Sequence, residues 1–133
     1  MASILIVDDD RDLAEMLGDL LREAGLDVRT AHDGQEGLKL IEEQLPDLVL
    51  LDVEMPCLGG PEMAYRMLVH DMGEEQVPIV LVSGVTDLFK VAELVGTPYY
   101  LGKPYDLDRI STLVSRALVE RTPPAPKLTP APG

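Results

Sequence analysis

Short apolar segments alternate five times with segments in which apolar residues recur at helical spacing. The apolar segments have the length of strands and lie at residues 3–7, 26–31, 48–51, 77–82 and 99–101. Because parallel strands require a crossover connection, usually a helix, this alternation is typical of an α/β domain with a parallel sheet. It predicts five strands and five helices. The segment 48–51 is continuously apolar, as in a strand that is buried on both faces.

Local signals mark the predicted helices. The first helix stops at Gly25, and its predicted inner face consists of Leu13, Met16, Leu17, Leu20, Leu21 and Ala24. Start signals precede the other helices: Asp33 with Glu36 as a capping box, Pro61, Thr86 and Asp106. The predicted inner face of the last helix consists of Leu107, Ile110, Leu113, Val114, Ala117 and Leu118.

The length of 133 residues fits one domain, which is large enough to bury a stable core without disulfides. We expect this domain to span residues 1–121. The remaining residues, 122–133, read TPPAPKLTPAPG, and their frequent prolines disfavour helix and sheet. We therefore expect a flexible tail or linker at residues 122–133.

Composition argues against several classes of protein. Eleven basic and 24 acidic residues give a net charge of −13, the wrong sign for a surface that binds a phosphate backbone. We therefore expect no direct binding to nucleic acid. Cys57 is the single cysteine, so an intramolecular disulfide is impossible, and no segment resembles a signal peptide or a membrane span. These features predict a cytoplasmic protein that does not enter the membrane.

Polar residues follow the predicted strands at the points where they end. Asp8 and Asp9 follow the first strand, Asp52 the third, Ser83 the fourth and Lys103 the fifth. Taken singly, each has an ordinary explanation as a cap, a turn residue or a loop hydroxyl. Together they place three carboxylates, one hydroxyl and one ammonium at the carboxyl edge of the sheet, where open α/β sheets bind ligands.

Carboxylates in such a cluster repel one another, by about 4 kcal/mol for a pair 4 Å apart at an effective dielectric of 20. Lys103 supplies only one positive charge, so we expect a cation as well. Mg²⁺ suits the cluster because it prefers oxygen ligands, keeps several waters and commonly bridges carboxylates to a phosphate.

Three motifs resemble the response-regulator receivers of two-component signalling over residues 4 to about 118. They are ILIVDD for the first strand and acidic pair, LVLLDVEMP for the phosphoacceptor strand and loop, and YLGKP for the last strand and lysine. The resemblance implies a flavodoxin-like fold, with a doubly wound five-stranded parallel sheet in the order 2-1-3-4-5 and five helices.

The resemblance also implies a role for each site residue. Asp52 would be the phosphoacceptor, with Lys103 pairing with the phosphoryl group and Ser83 donating a hydrogen bond to it. Ser83 and Tyr100 would be the switch residues. The implied Mg²⁺ ligands are Asp9 directly, Asp8 partly through water, Asp52 and the backbone carbonyl of Val53, and the implied cis peptide bond is Lys103-Pro104.

A receiver of this kind is a signalling switch, not a metabolic enzyme. The implied donor is a sensor histidine kinase or phosphotransfer protein, and the domain promotes its own phosphorylation and dephosphorylation. The implied output runs through the surface of the fourth helix, fifth strand and fifth helix to a partner or output domain. Residues expected to tune hydrolysis of the acyl phosphate are Glu54 and Val85.

Several positions depart from the family pattern. Cys57 stands where glycine is usual, Gly84 where alanine is usual, and Thr97-Pro98 interrupts the approach to the fifth strand. The spacing between Ser83 and Lys103 is about two residues shorter than is common, so we expect a short or displaced fourth helix. None of these changes removes a chemical group from the site.

Three other interpretations compete with this one. A haloacid-dehalogenase-like phosphatase would carry a D-x-D nucleophile with a threonine soon after the first strand, whereas Arg11 and Asp12 follow here. A flavodoxin-like cofactor binder needs a hydroxyl-rich phosphate loop where this chain has acids. A receiver-shaped module that has lost phosphorylation would not be expected to retain all five polar residues. His32 and His70 have no partner in sequence and are expected at the surface.

Overall fold

The computed structural model describes residues 2–52, 77–84 and 88–122. Five parallel strands form one sheet in the order β2-β1-β3-β4-β5, with bounds β1 (Ser3–Val7), β2 (Asp27–Ala31), β3 (Leu48–Asp52), β4 (Ile79–Ser83) and β5 (Tyr99–Gly102). The helices in these ranges are α1 (Arg11–Glu23), α2 (Gly34–Glu43), α3 (Leu88–Val95) and α4 (Leu107–Glu120). The third predicted helix lies outside the described residues. Consequently, α3 and α4 correspond to the fourth and fifth predicted helices.

Helices cover both faces of the sheet. On one face, α1 and α4 pack against alternate strand residues through Ala14, Leu17, Leu21, Ile110, Val114 and Ala117. On the other face, α2 and α3 contribute Ile41, Leu88 and Ala92. The central strand β3 is buried along its whole length, as its continuous apolar sequence predicts. The structure thus confirms a doubly wound sheet.

The predicted start and stop residues of α1, α2 and α4 lie at the ends of these helices and cap them. Asp33 accepts a hydrogen bond from the backbone of Glu36 (2.8 Å) at the start of α2, and Asp106 accepts one from Asp108 (2.9 Å) at the start of α4. Gly25 follows the end of α1 with a φ of +91°, a conformation that costs glycine little. Asp10 caps α1 by accepting from Leu13 (3.1 Å). These bonds satisfy backbone donors that a helix leaves free at its N-terminus.

Several expectations were wrong in detail. The fourth strand begins at Ile79, not at Val77, because Pro78 has no N–H to donate; its carbonyl instead accepts from Val49 (3.0 Å). Met16 and Leu107 were expected on inner helix faces but lie at their edges, 48% and 37% exposed. Ala24 was expected on the same face as Met16 but is exposed and follows the last residue of α1.

Thr97 fixes β5 beside β4. It is buried, and its hydroxyl donates to the carbonyl of Ile79 and accepts from the backbone N–H of Tyr99 (3.1 Å). Although Thr97-Pro98 departs from the family pattern, the Thr97 hydroxyl therefore links β4 to β5 through hydrogen bonds. Within the residues that the structure describes, α3 spans Leu88–Val95. Within the described ranges, none of the helices combines the length and apolar character needed to cross a membrane.

Candidate functional site

The carboxyl edge of the sheet brings together the polar residues that follow different strands. Asp52 ends β3 and lies in register with Val82, while Ser83 lies in register with Gly102, the residue before Lys103. Parallel pairing thus sets these strand ends side by side. Asp8 follows β1, next to β3 in the sheet.

Asp8, Asp9 and Asp52 form an acidic cluster. One carboxylate oxygen from each lies within 4.8 Å of the other two. Asp8 and Asp52 are buried, whereas Asp9 is exposed. The backbone positions Asp8 from both sides, because its N–H donates to Ala31 (3.0 Å) and its Oδ1 accepts from the N–H of Asp10 (2.9 Å).

Lys103 brings its ammonium group to the buried carboxylates. Nζ lies 3.2 Å from Oδ2 of Asp52 and 3.6 Å from Oδ2 of Asp8. Burial lowers the pKa of Lys103, but the attraction of Asp52 and Asp8 outweighs it, so the pKa is raised overall. Lys103 is therefore a protonated cation at neutral pH. The peptide bond between Lys103 and Pro104 is cis, as the resemblance implied.

The electrostatics of the cluster favour a further cation. Burial raises the pKa of Asp8 to about 6, and the nearby charge of Asp52 acts in the same direction, against the Asp10 N–H and Lys103. Three ionised carboxylates and one ammonium give a formal charge of −2. Among the described residues, Oδ2 of Asp8 has no hydrogen-bond partner. A donor set made of carboxylate oxygens is one that Mg²⁺ prefers, so these residues fit that ion.

Tyr105 borders the cluster and was not singled out by sequence. Its hydroxyl is buried and has no hydrogen-bond partner within the described part of the chain. Burial raises the pKa of Tyr105 to about 12, and the charges of Asp8, Asp52 and Asp10 add to the effect. An apolar cleft of about 420 Å³ opens beside Lys103 and is lined by Leu13, Met16, Lys103, Pro104, Tyr105 and Leu107.

Tyr100 lies on the strand that leads to Lys103. Its side chain is 38% exposed and contacts the ring of Phe89 on α3. The neighbouring Tyr99 faces the opposite side of the sheet and is fully buried. Tyr100 therefore occupies an outward orientation next to the candidate site.

Some predicted site residues lie beyond what the structure describes. These are Val53, Glu54 and Val85, together with the side chain of Ser83, whose backbone ends β4. Cys57, Pro61, His70 and Thr86 also fall outside the described ranges. His32 is half-buried, not fully at the surface, and belongs to no metal-binding group within residues 2–52, 77–84 and 88–122.

Comparisons with known proteins match this geometry. Residues 4–115 match the sequence profile of the response regulator receiver domain. The chain belongs to this family. Receivers of this family are phosphoaccepting switches of two-component systems, which act with histidine kinases and output domains, and this chain is such a receiver.

Individual relatives agree with the assignment. The receiver is 36% identical to protein Rrf1 of Nitratidesulfovibrio vulgaris, over 98% of this chain and 95% of the relative. A protein described as a response regulator from Chloroflexus aurantiacus is 33% identical, with a TM-score of 0.80 over 89% of this chain and 98% of its own.

A third relative was solved with a ligand. It is the response regulator TrrA of Thermotoga maritima in complex with Mg²⁺-BeF, which is 29% identical, with a TM-score of 0.76 over 87% of this chain and 98% of its own. Other curated relatives, described as DNA-binding response regulators, are longer, and the receiver spans 44% of their length.

Proposed function

We propose that Asp52 is the phosphoacceptor of this receiver. One observation carries the proposal: Asp52 is buried at the end of the central strand, 3.2 Å from the Lys103 ammonium and within 4.8 Å of carboxylate oxygens of Asp8 and Asp9. A nucleophile, a cation and a set of metal-binding oxygens therefore meet at one point. Phosphoryl transfer depends mainly on such positioning and charge stabilisation.

The proposed reaction is transfer from a phosphohistidine. An oxygen of the Asp52 carboxylate attacks phosphorus in line, and the new O–P bond forms as the P–N bond to the donor histidine breaks. Lys103 pairs with a phosphoryl oxygen, and the Ser83 hydroxyl donates a hydrogen bond to another. Water later hydrolyses the acyl phosphate, so the domain promotes both its own phosphorylation and its own dephosphorylation.

We assign the Mg²⁺ ligands to Asp9 directly, Asp8 partly through water, Asp52 and the backbone carbonyl of Val53. The bound ion supplies positive charge to the phosphoryl oxygens. The formal charge of −2 on the described cluster supports this assignment. TrrA, a relative, was solved in complex with Mg²⁺-BeF, which supports a Mg²⁺ site in this receiver.

The proposed output is a conformational switch at Ser83 and Tyr100. A phosphoryl group carries about −1.5 to −2 charges and draws the Ser83 hydroxyl toward it, which leaves space for the Tyr100 ring to turn inward. The responding surface is formed by α3, β5 and α4. A groove of about 410 Å³ lies on it and is lined by Tyr100, Leu101, Asp108, Arg109, Thr112, Leu113 and Arg116.

The proposed partners follow from the family and the charge. A sensor histidine kinase or phosphotransfer protein is the donor, and a downstream partner or output domain reads the α3-β5-α4 surface. The net charge of −13 argues against direct contact with nucleic acid. A cytoplasmic location suits both partners. We assign residues 1–121 to the receiver domain and 122–133 to a tail or linker, in keeping with the end of α4 at Glu120.

Incubation with acetyl phosphate and MgCl₂, followed by intact-protein mass spectrometry, tests the assignment of Asp52. The wild type is expected to gain one hydroxylamine-sensitive phosphoryl group, and Asp52→Asn to gain none. Asp12→Asn, which removes an exposed carboxylate from the first turn of α1, is the control and is expected to behave as the wild type. Phosphorylation of Asp52→Asn at the wild-type rate would overturn the assignment.

A further inference from the structure

Phe89 is the one phenylalanine of the chain, and the residue is 59% exposed. It lies in the first turn of α3, next to Leu88, which faces the core. The Phe89 ring meets the Tyr100 ring edge to face, with centroids 6.2 Å apart and planes inclined by 72°. This is one of the arrangements that aromatic pairs favour, because the edge of one ring is attracted to the face of the other.

The contact is made by a Tyr100 ring that points outward. Tyr100 is 38% exposed, and its partner ring is itself largely in solvent. A Tyr100 ring that turns toward the core therefore moves away from Phe89 and loses the edge-to-face contact. Phe89 thus interacts with one of the two orientations and not with the other.

We propose that Phe89 is a positioning residue that holds Tyr100 outward and so sets the resting population of the receiver switch. The inference rests on the proposed function, because it requires that phosphorylation favour the inward ring. A group that contacts only one state shifts the equilibrium toward that state. Phe89 therefore opposes activation without touching the phosphoryl group.

The expected size of the effect follows from the strength of such ring pairs. Loss of an edge-to-face contact is expected to raise the ratio of inward to outward Tyr100 roughly twofold to tenfold. While the outward state predominates, the apparent affinity for a ligand that selects the inward state rises by the same factor. Beryllofluoride with Mg²⁺ is a suitable probe, since it imitates the phosphoryl group without chemical turnover.

The experiment is a double-mutant cycle on the full chain. Beryllofluoride is titrated in excess Mg²⁺ into the wild type, Phe89→Ala, Tyr100→Ala and the double variant, while amide chemical shifts report saturation and the population at residue 100. Phe89→Tyr keeps a ring at the contact. Val119→Ala removes an apolar side chain that is 84% exposed on α4 and serves as the matched control.

Phe89→Ala is expected to bind beryllofluoride roughly twofold to tenfold more tightly and to move the ligand-free Tyr100 amide shift toward its bound position. Phe89→Tyr and Val119→Ala are expected to match the wild type. In the Tyr100→Ala background, the Phe89 effect is expected to vanish, since the two residues act through one contact.

Two results would overturn the inference while leaving the proposed switch standing. One is an unchanged or weaker affinity in Phe89→Ala although wild-type Tyr100 responds to beryllofluoride, which leaves the proposed switch intact. The other is an equal gain in affinity with and without the Tyr100 ring, which removes the ring contact as the cause. If the amide chemical shift of Tyr100 does not change in wild type saturated with beryllofluoride, both the proposed switch and this inference are overturned.

Discussion

The ammonium group of Lys103 lies 3.2 Å from Oδ2 of Asp52, within hydrogen-bond distance. The two residues are 51 positions apart in the sequence and meet because β3, β4 and β5 are parallel neighbours. The Lys103 side chain is 22% exposed and the Asp52 side chain 2% exposed, so the pair is only weakly screened by solvent. Lys103 therefore already stands where negative charge would accumulate in the proposed transfer to Asp52.

Lys103→Ala is expected to slow phosphorylation by acetyl phosphate roughly tenfold to hundredfold, the kinetic equivalent of one charged hydrogen bond. The rate is measured by intact-protein mass spectrometry at saturating MgCl₂. Lys90→Ala removes an exposed ammonium from α3 and is the control. A wild-type rate in Lys103→Ala would remove this residue from the transfer step.

Asp9→Ala is expected to weaken Mg²⁺ binding by at least about tenfold, because a carboxylate beside a doubly charged ion is lost from the cluster. Isothermal titration calorimetry with MgCl₂ measures the affinity. Asp12→Ala deletes a nearby exposed acid that does not belong to the cluster, so it separates ligand loss from a general change in charge. Equal affinities for wild type and Asp9→Ala would place the ion elsewhere.

Tyr99 joins β5 to the end of α4. Its buried ring lies under Arg116, with the guanidinium 5.4 Å from the ring centroid, and its hydroxyl donates to Glu120 (2.9 Å). The same hydroxyl accepts from the backbone N–H of Thr122 (3.4 Å). The hydrogen bond from Tyr99 lowers the pKa of Glu120, with Arg116 adding to the effect.

Tyr99→Phe is expected to lower the Tm at pH 7 by about 2–6 °C through loss of the hydroxyl bonds. A carboxyl group whose pKa is lowered by folding stabilises the folded state at pH values above its ordinary pKa, which is 4.5 for Glu120. This stabilisation is lost as the pH falls through the pKa of the group in the folded state. The Tm difference between wild type and variant is therefore expected to shrink at acidic pH. Tyr100→Phe, which keeps a partly exposed ring, is the control for thermal unfolding followed by circular dichroism. A difference that grows on acidification would contradict this account.

Val85→Gln is expected to shorten the lifetime of the phosphorylated receiver roughly twofold to tenfold. Position 85 lies two residues after Ser83, and valine has no polar group with which to orient water, whereas the amide of glutamine supplies a hydrogen bond. Decay is followed by mass spectrometry after removal of acetyl phosphate. Val85→Leu, which adds volume without polarity, is the control. Equal lifetimes for Val85→Gln and the wild type would exclude water positioning from residue 85.

The sheet and the acidic cluster were predictable because both depend on local signals and topology. Apolar runs mark the strands, and parallel strands bring their carboxyl ends to one edge, so Asp8, Asp52 and Lys103 had to be near one another. Exposure at the helix margins was harder to predict. The small residues Ala14 and Gly18 centre the buried face of α1, which leaves Met16 at its edge although it has the helical spacing.

Contacts between side chains of different elements could not be predicted from the pattern. The hydroxyl of Thr97 bonds to Ile79, the ring of Phe89 meets Tyr100, and the hydroxyl of Tyr99 reaches Glu120. Each contact depends on rotamers and on how helices pack on the sheet, which periodicity does not specify. Tyr105 was missed for the same reason, since nothing in its sequence neighbourhood indicates a buried hydroxyl beside Asp8.

Saturation with beryllofluoride and Mg²⁺ is expected to change amide chemical shifts most at residues 83–86, Tyr99 and Tyr100, and least along α1. In the proposed switch, the new charge acts on Ser83 and inward rotation of Tyr100 alters β5, whereas Leu17 and Leu21 keep α1 packed on the sheet. A shift from one per cent to 99 per cent of the active state requires about 5.5 kcal/mol, which we expect the Ser83 bond, the Lys103 pair and ring burial to approach together. Asp52→Asn with the same additions is the control and is expected to show little change. Large changes on α2 and in residues 61–68, with none at Tyr100, would contradict the switch, because the response would then not reach β5.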